Sequence, residues 1–240
     1  MVRYLSIFLS VLFLFCASCE DTQKSKNNSI KTTPKITDTI KKDSSNKEKA
    51  TKQSKISKTI TQEELIPFLT DYGNENQEQR IRIKTSFGDI DVLLFMDTPL
   101  HRANFIYLTK EGYFNGTFFH RVAQGFVIQG GNSDNPETSK KRNNNGSYLI
   151  PSEFAAGHKH KRGAFSAAKY SEQNVSKASS PYEFFIVQSD RGAHHLDNDH
   201  TVYGEVISGM DVVDTIAKQP IGEGEWPLIN IPMKIEILDN

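Results

Sequence analysis

FFHRVAQGFVIQGGN, residues 118–132, sets one arginine inside an otherwise apolar, glycine-punctuated run. Arginine is always charged and costly to desolvate, so it is seldom buried without a partner. The apolar runs at 117–122 and 125–130, broken by Gly125, read as two short strands, with Arg121 on the first. Residues 163–168, 183–188 and 201–206 repeat that β-type character, and INIPMKIEIL alternates Ile231, Met233, Ile235 and Ile237 near the C-terminus.

Upstream, RIRIKTSFGDIDVLLFM (80–96) reads as a hairpin. Ile81 and Ile83 alternate with charge, Ile90, Val92, Leu94 and Met96 form a second period-two set, and Ser86–Phe87–Gly88–Asp89 supply the turn. A helix follows, with Thr98 as N-cap, Pro99 in the first position and Gly112 past the end; its apolar face is Leu100, Ala103, Ile106 and Tyr107. SGMDVVDTIAK gives a second internal helix, with Ser208 and Asp211 in capping positions and Met210, Val213 and Ala217 on one face. Ahead of the strands, Thr61 and Glu64 have capping-box spacing before Leu65, Phe68 and Leu69; Gly73 marks an end, and Pro67 requires the helix to start a turn late. Residues 132–149 read as a polar loop. Many short strands and only two internal helices argue for an antiparallel barrel or sandwich over about 79–239, not a βαβ fold.

The 240 residues carry 29 basic and 29 acidic side chains. Such a balance argues against nucleic acid as a partner. Residues 1–19 read as a targeting segment: Arg3 is the basic flank, and Tyr4 to Phe15 form an apolar run too short to span a bilayer comfortably. Ala17–Ser18–Cys19 resembles the end of a bacterial lipobox, departing from it at Cys16, so Cys19 is the expected lipid-attachment residue. No cysteine follows it, and the exported domain must be stable without disulfides. Residues 20–60, rich in Lys, Ser, Thr and Asn, hold too few apolar side chains to offset the entropy of ordering and read as a flexible linker. The expected domains are therefore a lipoprotein-type signal at 1–19, the linker at 20–60, a helical lead-in at 61–79 and the β domain at 80–240.

FFHRVAQGFVIQGG also resembles the FHRV–x–x–GF–x–IQGG signature of cyclophilin-type peptidyl-prolyl cis-trans isomerases. Three further stretches follow the same family in order: TSFGDIDVLLFMDTPLHRANFIYLTKEGYFNGTFFHRV, then EFFIV, then HLDNDHTVYGEV. Four motifs in sequence over roughly 80–239 are specific, where one alone is weak. The resemblance implies a mainly β fold, a closed antiparallel eight-stranded barrel with two capping helices, preceded here by the short N-terminal helix. It implies isomerisation of X–Pro bonds by a monomer with neither cofactor nor metal. With the targeting segment and the lipobox-like Cys19, the expected substrates are exported polypeptides and the expected place is the bacterial cell envelope, held through that lipid.

The chemistry asks for little. X–Pro bonds isomerise in tens to hundreds of seconds unaided, over a barrier set by amide resonance. No bond breaks, so a pocket for the proline ring and a donor to the twisted amide suffice. A rate gain of about 10⁵ needs only ~7 kcal/mol of differential stabilisation. By resemblance Arg121 is the donor. Phe126, Val127, Phe185, Leu196 and His200 match the proline pocket, and Gln129 matches a glutamine beside the arginine. Ala168 and Lys169 match the stretch that binds substrate main chain, and His195 stands where other members have Trp or His. On their own, Phe126, Val127, Phe185 and Leu196 read equally well as core, and the histidines fit no closed metal-ligand spacing.

The chain departs from the family at Pro181–Tyr182–Glu183, where Glu183 replaces a glutamine of the substrate-binding set. A carboxylate only accepts hydrogen bonds. Paired with Arg121, it would draw that charge away from substrate, lower the activity or shift the preference, and leave a proline-binding module as the alternative function. Tyr182 is expected as bulk beside the site, and Val127 as a slightly smaller wall than the frequent Met.

Overall fold

The computed structural model describes residues 59–170 and 175–239. The signal-like segment, Cys19 and all but the end of the linker lie outside these residues. Eight strands form one antiparallel sheet: β1 (Arg80–Thr85), β2 (Gly88–Leu94), β3 (Phe118–Ala123), β4 (Val127–Asn132), β5 (Ala164–Ala167), β6 (Phe184–Val187), β7 (Val202–Ser208) and β8 (Lys234–Ile237). Their order is β3-β4-β6-β5-β7-β2-β1-β8.

The sheet is a curled, open half-barrel, which corrects the expected closed barrel. Strands β3 and β8 are its two edges, and what passes between their ends is an isolated bridge from Phe118 to Pro232. The Phe119 amide donates to Ile231 O and the Met233 amide to Thr117 O. These two bonds flank the Phe118–Pro232 pair, and the contact does not extend into a ladder.

Among the described residues four α-helices accompany the sheet: α1 (Leu65–Glu75), α2 (Pro99–Lys110), α3 (Pro136–Asn145) and α4 (Met210–Ala217). Helix α1 begins late enough that Pro67 occupies its third position, where no intrahelical bond needs its missing N–H. Gly73 does not end it. A Cβ there would stand 3.1 Å from Ala103 Cβ, so Gly73 is the point where α1 and α2 touch. Arg102 of α2, almost wholly buried, donates to Gly73 O at 2.8 Å and Asn76 O at 2.6 Å, covering the carbonyls at the end of α1.

Helix α2 is buried on nearly every side, from His101 to Leu108, because Phe105 enters an aromatic cluster with Phe114, Phe165, Phe184 and Tyr203. Thr98 makes no side-chain cap. The Glu153 carboxylate instead accepts from the amides of Leu100 and His101, both at 3.0 Å. Ser208 likewise ends β7, and α4 starts from Gly209 in a left-handed conformation, with Val212, Val213, Ile216 and Ala217 buried. The expected loop at 132–149 contains α3, capped by Asn135, whose side chain accepts from the Glu137 amide at 3.0 Å, with Pro136 in the first turn.

Candidate active site: a groove over the second apolar cluster

Strand β3 holds the answer to the lone arginine. Phe119 pairs with Gly130 and Arg121 with Gln129, so β3 advances two residues while β4 advances one. His120 is therefore the extra residue of a β-bulge. The bulge resets the alternation. Phe119 and Val122 both face the main core, while Arg121 between them faces the other side of the sheet. From Arg121 a row of opposed residues runs across neighbouring strands: Gln129 on β4, Phe185 on β6 and Ser166 on β5.

That face carries a second apolar cluster separate from the main core. Val127, Ala168, Phe185 and Val202 are buried in it, with Phe126 and Leu196 packed against them. Its open side is a cavity of about 720 Å³. Arg121, Phe126, Val127, Gln129, Ala168, Lys169, Phe185, His195, Leu196 and His200 all line this cavity, as does Asp199. The guanidinium of Arg121 stands 5.9 Å from the Phe126 ring centroid, and the His195 ring stacks on Phe126 at 5.3 Å. His200 meets the Phe185 ring edge-on at 5.5 Å. The Ala168 backbone is engaged within the sheet, its amide donating to Glu183 O and its carbonyl accepting from the Ser180 amide, so Ala168 offers the groove chiefly its methyl group.

Glu183 is the one expected site residue that the groove does not include. It lies behind Gln129, and its carboxylate does not reach Arg121. Oε2 accepts from Gln129 Nε2 at 3.0 Å and lies 3.5 Å from His120 Nε2, and Oε1 accepts from Arg142 Nη2 of α3 at 2.9 Å. Burial pushes its pKa up, but His120 and Arg142 together outweigh that and hold it down at about 2. The carboxylate on Arg121 is Glu225, whose Oε2 lies 2.7 Å from Arg121 Nε. Tyr182 is also turned away from the groove. Buried against Tyr113, it donates its hydroxyl to Gly146 O at 2.6 Å at the end of α3.

Two histidines near the groove are kept neutral. His200 is pushed down to about 4, mainly by burial and then by the Lys169 ammonium; that ammonium is paired with Asp199 at 2.7 Å. His160 lies beneath Phe185, its Nδ1–H donating to Asp197 at 2.8 Å, with Nε2 3.0 Å from Ser166 Oγ. The geometry is that of a Ser–His–Asp set, yet Ser166 and His160 are wholly buried, and an acyl-transfer nucleophile must reach its substrate. The set props Phe185 and the turn at His194–Leu196.

Among these residues, Asp199 carried a signal within HLDNDH. Glu225 sits in GEGEW, which bears no pattern, and Arg142 lies in a polar stretch whose relation to the site depends on the fold.

The comparisons agree with this geometry. Residues 80–237 match the family model described as "Cyclophilin type peptidyl-prolyl cis-trans isomerase/CLD". The chain is 38% identical over 145 residues to a peptidyl-prolyl cis-trans isomerase of Helicobacter pylori, covering 59% of this chain and 82% of that one. It is 36% identical over 165 residues to a peptidyl-prolyl cis-trans isomerase-like 2 of Rhizopus delemar, covering 68% of this chain but only 29% of that longer relative. A cyclophilin type isomerase of Cryptosporidium parvum, crystallised in the presence of the dipeptide Ala-Pro, superposes with a TM-score of 0.56 at 28% identity, over 68% of this chain and all of that one. With the family model spanning the whole sheet, its bulged arginine strand and the groove, the chain belongs to the cyclophilin-type peptidyl-prolyl cis-trans isomerases.

Proposed function

We propose that this groove isomerises X–Pro bonds of exported polypeptides with Arg121 as the donor to the twisting amide, and that Cys19 carries a lipid that holds the enzyme at the bacterial cell envelope. The observation that carries the catalytic part is the row Arg121–Gln129–Phe185 on the open wall of one cavity. Phe185, Leu196, Val127 and the face of His200 supply an apolar seat for a pyrrolidine ring, and Phe126 borders it beneath the guanidinium. Twisting the amide removes its resonance and returns a lone pair to the prolyl nitrogen, which then accepts a hydrogen bond that the planar ground state accepts poorly. A donor at that point binds the transition state more tightly than either isomer, which is what acceleration requires. Arginine suits the task because its fork is rigid and always charged. His200, neutral well below pH 7, adds no second cation to the seat.

Turnover of an X–Pro peptide by the full chain, beside Arg121→Ala, tests this. The variant should lose activity by about a hundredfold, the cost of removing one preorganised donor, while still binding the peptide. Equal turnover by both proteins refutes the role of Arg121, and peptide binding without turnover by the wild type supports a binding module instead. The anchor rests on the apolar run and the Ala17–Ser18–Cys19 pattern. Cys19→Ser should move the protein from the membrane to the soluble fraction, and retention at the membrane contradicts lipidation.

A further inference from the structure

We infer that Glu183 is a positioning residue: together with Arg142 of α3 it fixes the amide of Gln129 with its nitrogen turned inward and its carbonyl oxygen left as the acceptor beside Arg121. The inference rests on the groove being the isomerase site. An ionised carboxylate has no proton to give, so whatever meets it must donate. Gln129 therefore commits Nε2 to Glu183 Oε2 at 3.0 Å, and Oε1 is the end left to the groove, where Arg121 is its cross-strand neighbour. An arginine has donors only, and the complementary group to set beside it is a carbonyl oxygen.

The arrangement depends on charge, not on shape. Arg142 Nη2 donates to Glu183 Oε1 at 2.9 Å and its Nε donates to Tyr113 Oη at 2.9 Å, anchoring the far side of the carboxylate. Tyr113 Oη in turn donates to Gly131 O at 2.8 Å, one residue beyond the Gln129–Gly130 step. Replacing Glu183 with glutamine keeps the volume and forces a choice. Arg142 accepts nothing, so the new carbonyl must turn to Arg142 and the new NH₂ must stand where Oε2 stood. Gln129 then has to rotate its oxygen inward to accept, which presents an NH₂ toward the cationic Arg121. Glu183 thus supports the arginine, the reverse of the quenching role its replacement of a glutamine suggests.

The test compares the full chain carrying wild-type sequence, Glu183→Gln, Arg142→Met and the double replacement. Turnover of an X–Pro peptide is measured alongside the ¹H–¹⁵N resonances of the Gln129 side-chain amide. Glu183→Gln should lower kcat roughly tenfold, of the size expected for a misdirected bond to a charged group, with KM changed far less, and should move the Gln129 amide resonances. Removing Arg142 as well frees the new glutamine to accept from Gln129, so the double variant should recover activity and wild-type-like Gln129 resonances relative to Glu183→Gln alone. Unchanged or raised kcat in Glu183→Gln overturns the inference, as do unmoved Gln129 resonances or a double variant no more active than that single one. Absence of turnover in the wild type would instead overturn the isomerase reading of the groove.

Discussion

Arg121 is neither buried nor unpartnered. Its side chain is about one-third exposed, and Glu225 reaches it from the turn that follows α4. Glu225 pays for that position in backbone strain: it is a non-glycine residue at φ +60°, directly after Gly224 at φ +65°. The turn is held from outside, by the Gly222 amide donating to Trp226 O at 2.8 Å. An ion pair this open contributes about 1 kcal/mol or less to stability. On the proposed role of Arg121, a substrate carbonyl and the Glu225 carboxylate compete for the same guanidinium. Glu225→Gln should therefore lower KM for an X–Pro peptide about two- to threefold with stability little changed, and should flatten the salt dependence of KM, because added salt screens the wild-type pair. Identical salt dependence in variant and wild type would show that the pair does not compete.

Among the elements, α3 shows most plainly what a sequence conceals. PETSKKRNNN has no apolar periodicity, and periodicity is the main signal of a packed helix. The helix is held by polar bonds: Lys141 Nζ donates to Gly112 O and Asn115 O, both at 2.9 Å, and Arg142 joins Tyr113 and Glu183. Its start does carry a local signal that the polar-loop reading passed over, an Asn–Pro–Glu run with an N-cap residue followed by a first-turn proline. A helix with so little burial leans on its cap, so Asn135→Ala should cost about 1 kcal/mol in denaturant unfolding, and a loss below a few tenths would show that the side-chain bonds alone suffice. The groove residues of β3 and β4 came from the motif, while the hairpin at 80–94 and β8 were readable because they alternate and the strands between them as short apolar runs. The β-bulge was not, because nothing local to His120 announces it; the extra residue exists only in the pairing with β4. The same reason hid the partner of Arg121. Glu183 and Glu225 are both acidic residues of the right type, and only the fold decides which of them comes within reach. The reason for the second glycine of the QGG run also lies in the fold: Gly131 has φ +97°, and a Cβ there would run into Tyr182 O.

Across the whole molecule, the titrating groups bias stability in one direction on each side of neutrality. His200, lowered to about 4, and His160, also lowered by burial, refuse protons that the unfolded chain accepts from about pH 6.5 downward. The unfolded state then binds more protons, so stability falls as pH drops from about 6.5 toward 4. Glu183 and Asp197, both near 2, add stability that is present above their ordinary values and is lost from about pH 4.5 down to 2. On the alkaline side Tyr113, Tyr148, Tyr182 and Tyr203 are all raised by burial, so above about pH 10 the unfolded chain alone releases those protons and stability falls again. Urea unfolding from pH 3 to 11 should therefore trace a plateau from about pH 7 to 9.5, with the acid limb in two steps. Because the histidine step runs between about pH 6.5 and 4 and the carboxylate step below about pH 4.5, the two steps are separable. His200→Gln should reduce the step between pH 6.5 and 4 and leave the lower one in place. A wild-type stability that does not change from pH 7 to 5 would mean that both histidines take up protons in the folded state, and that the apolar seat around His200 is wetter than its burial implies.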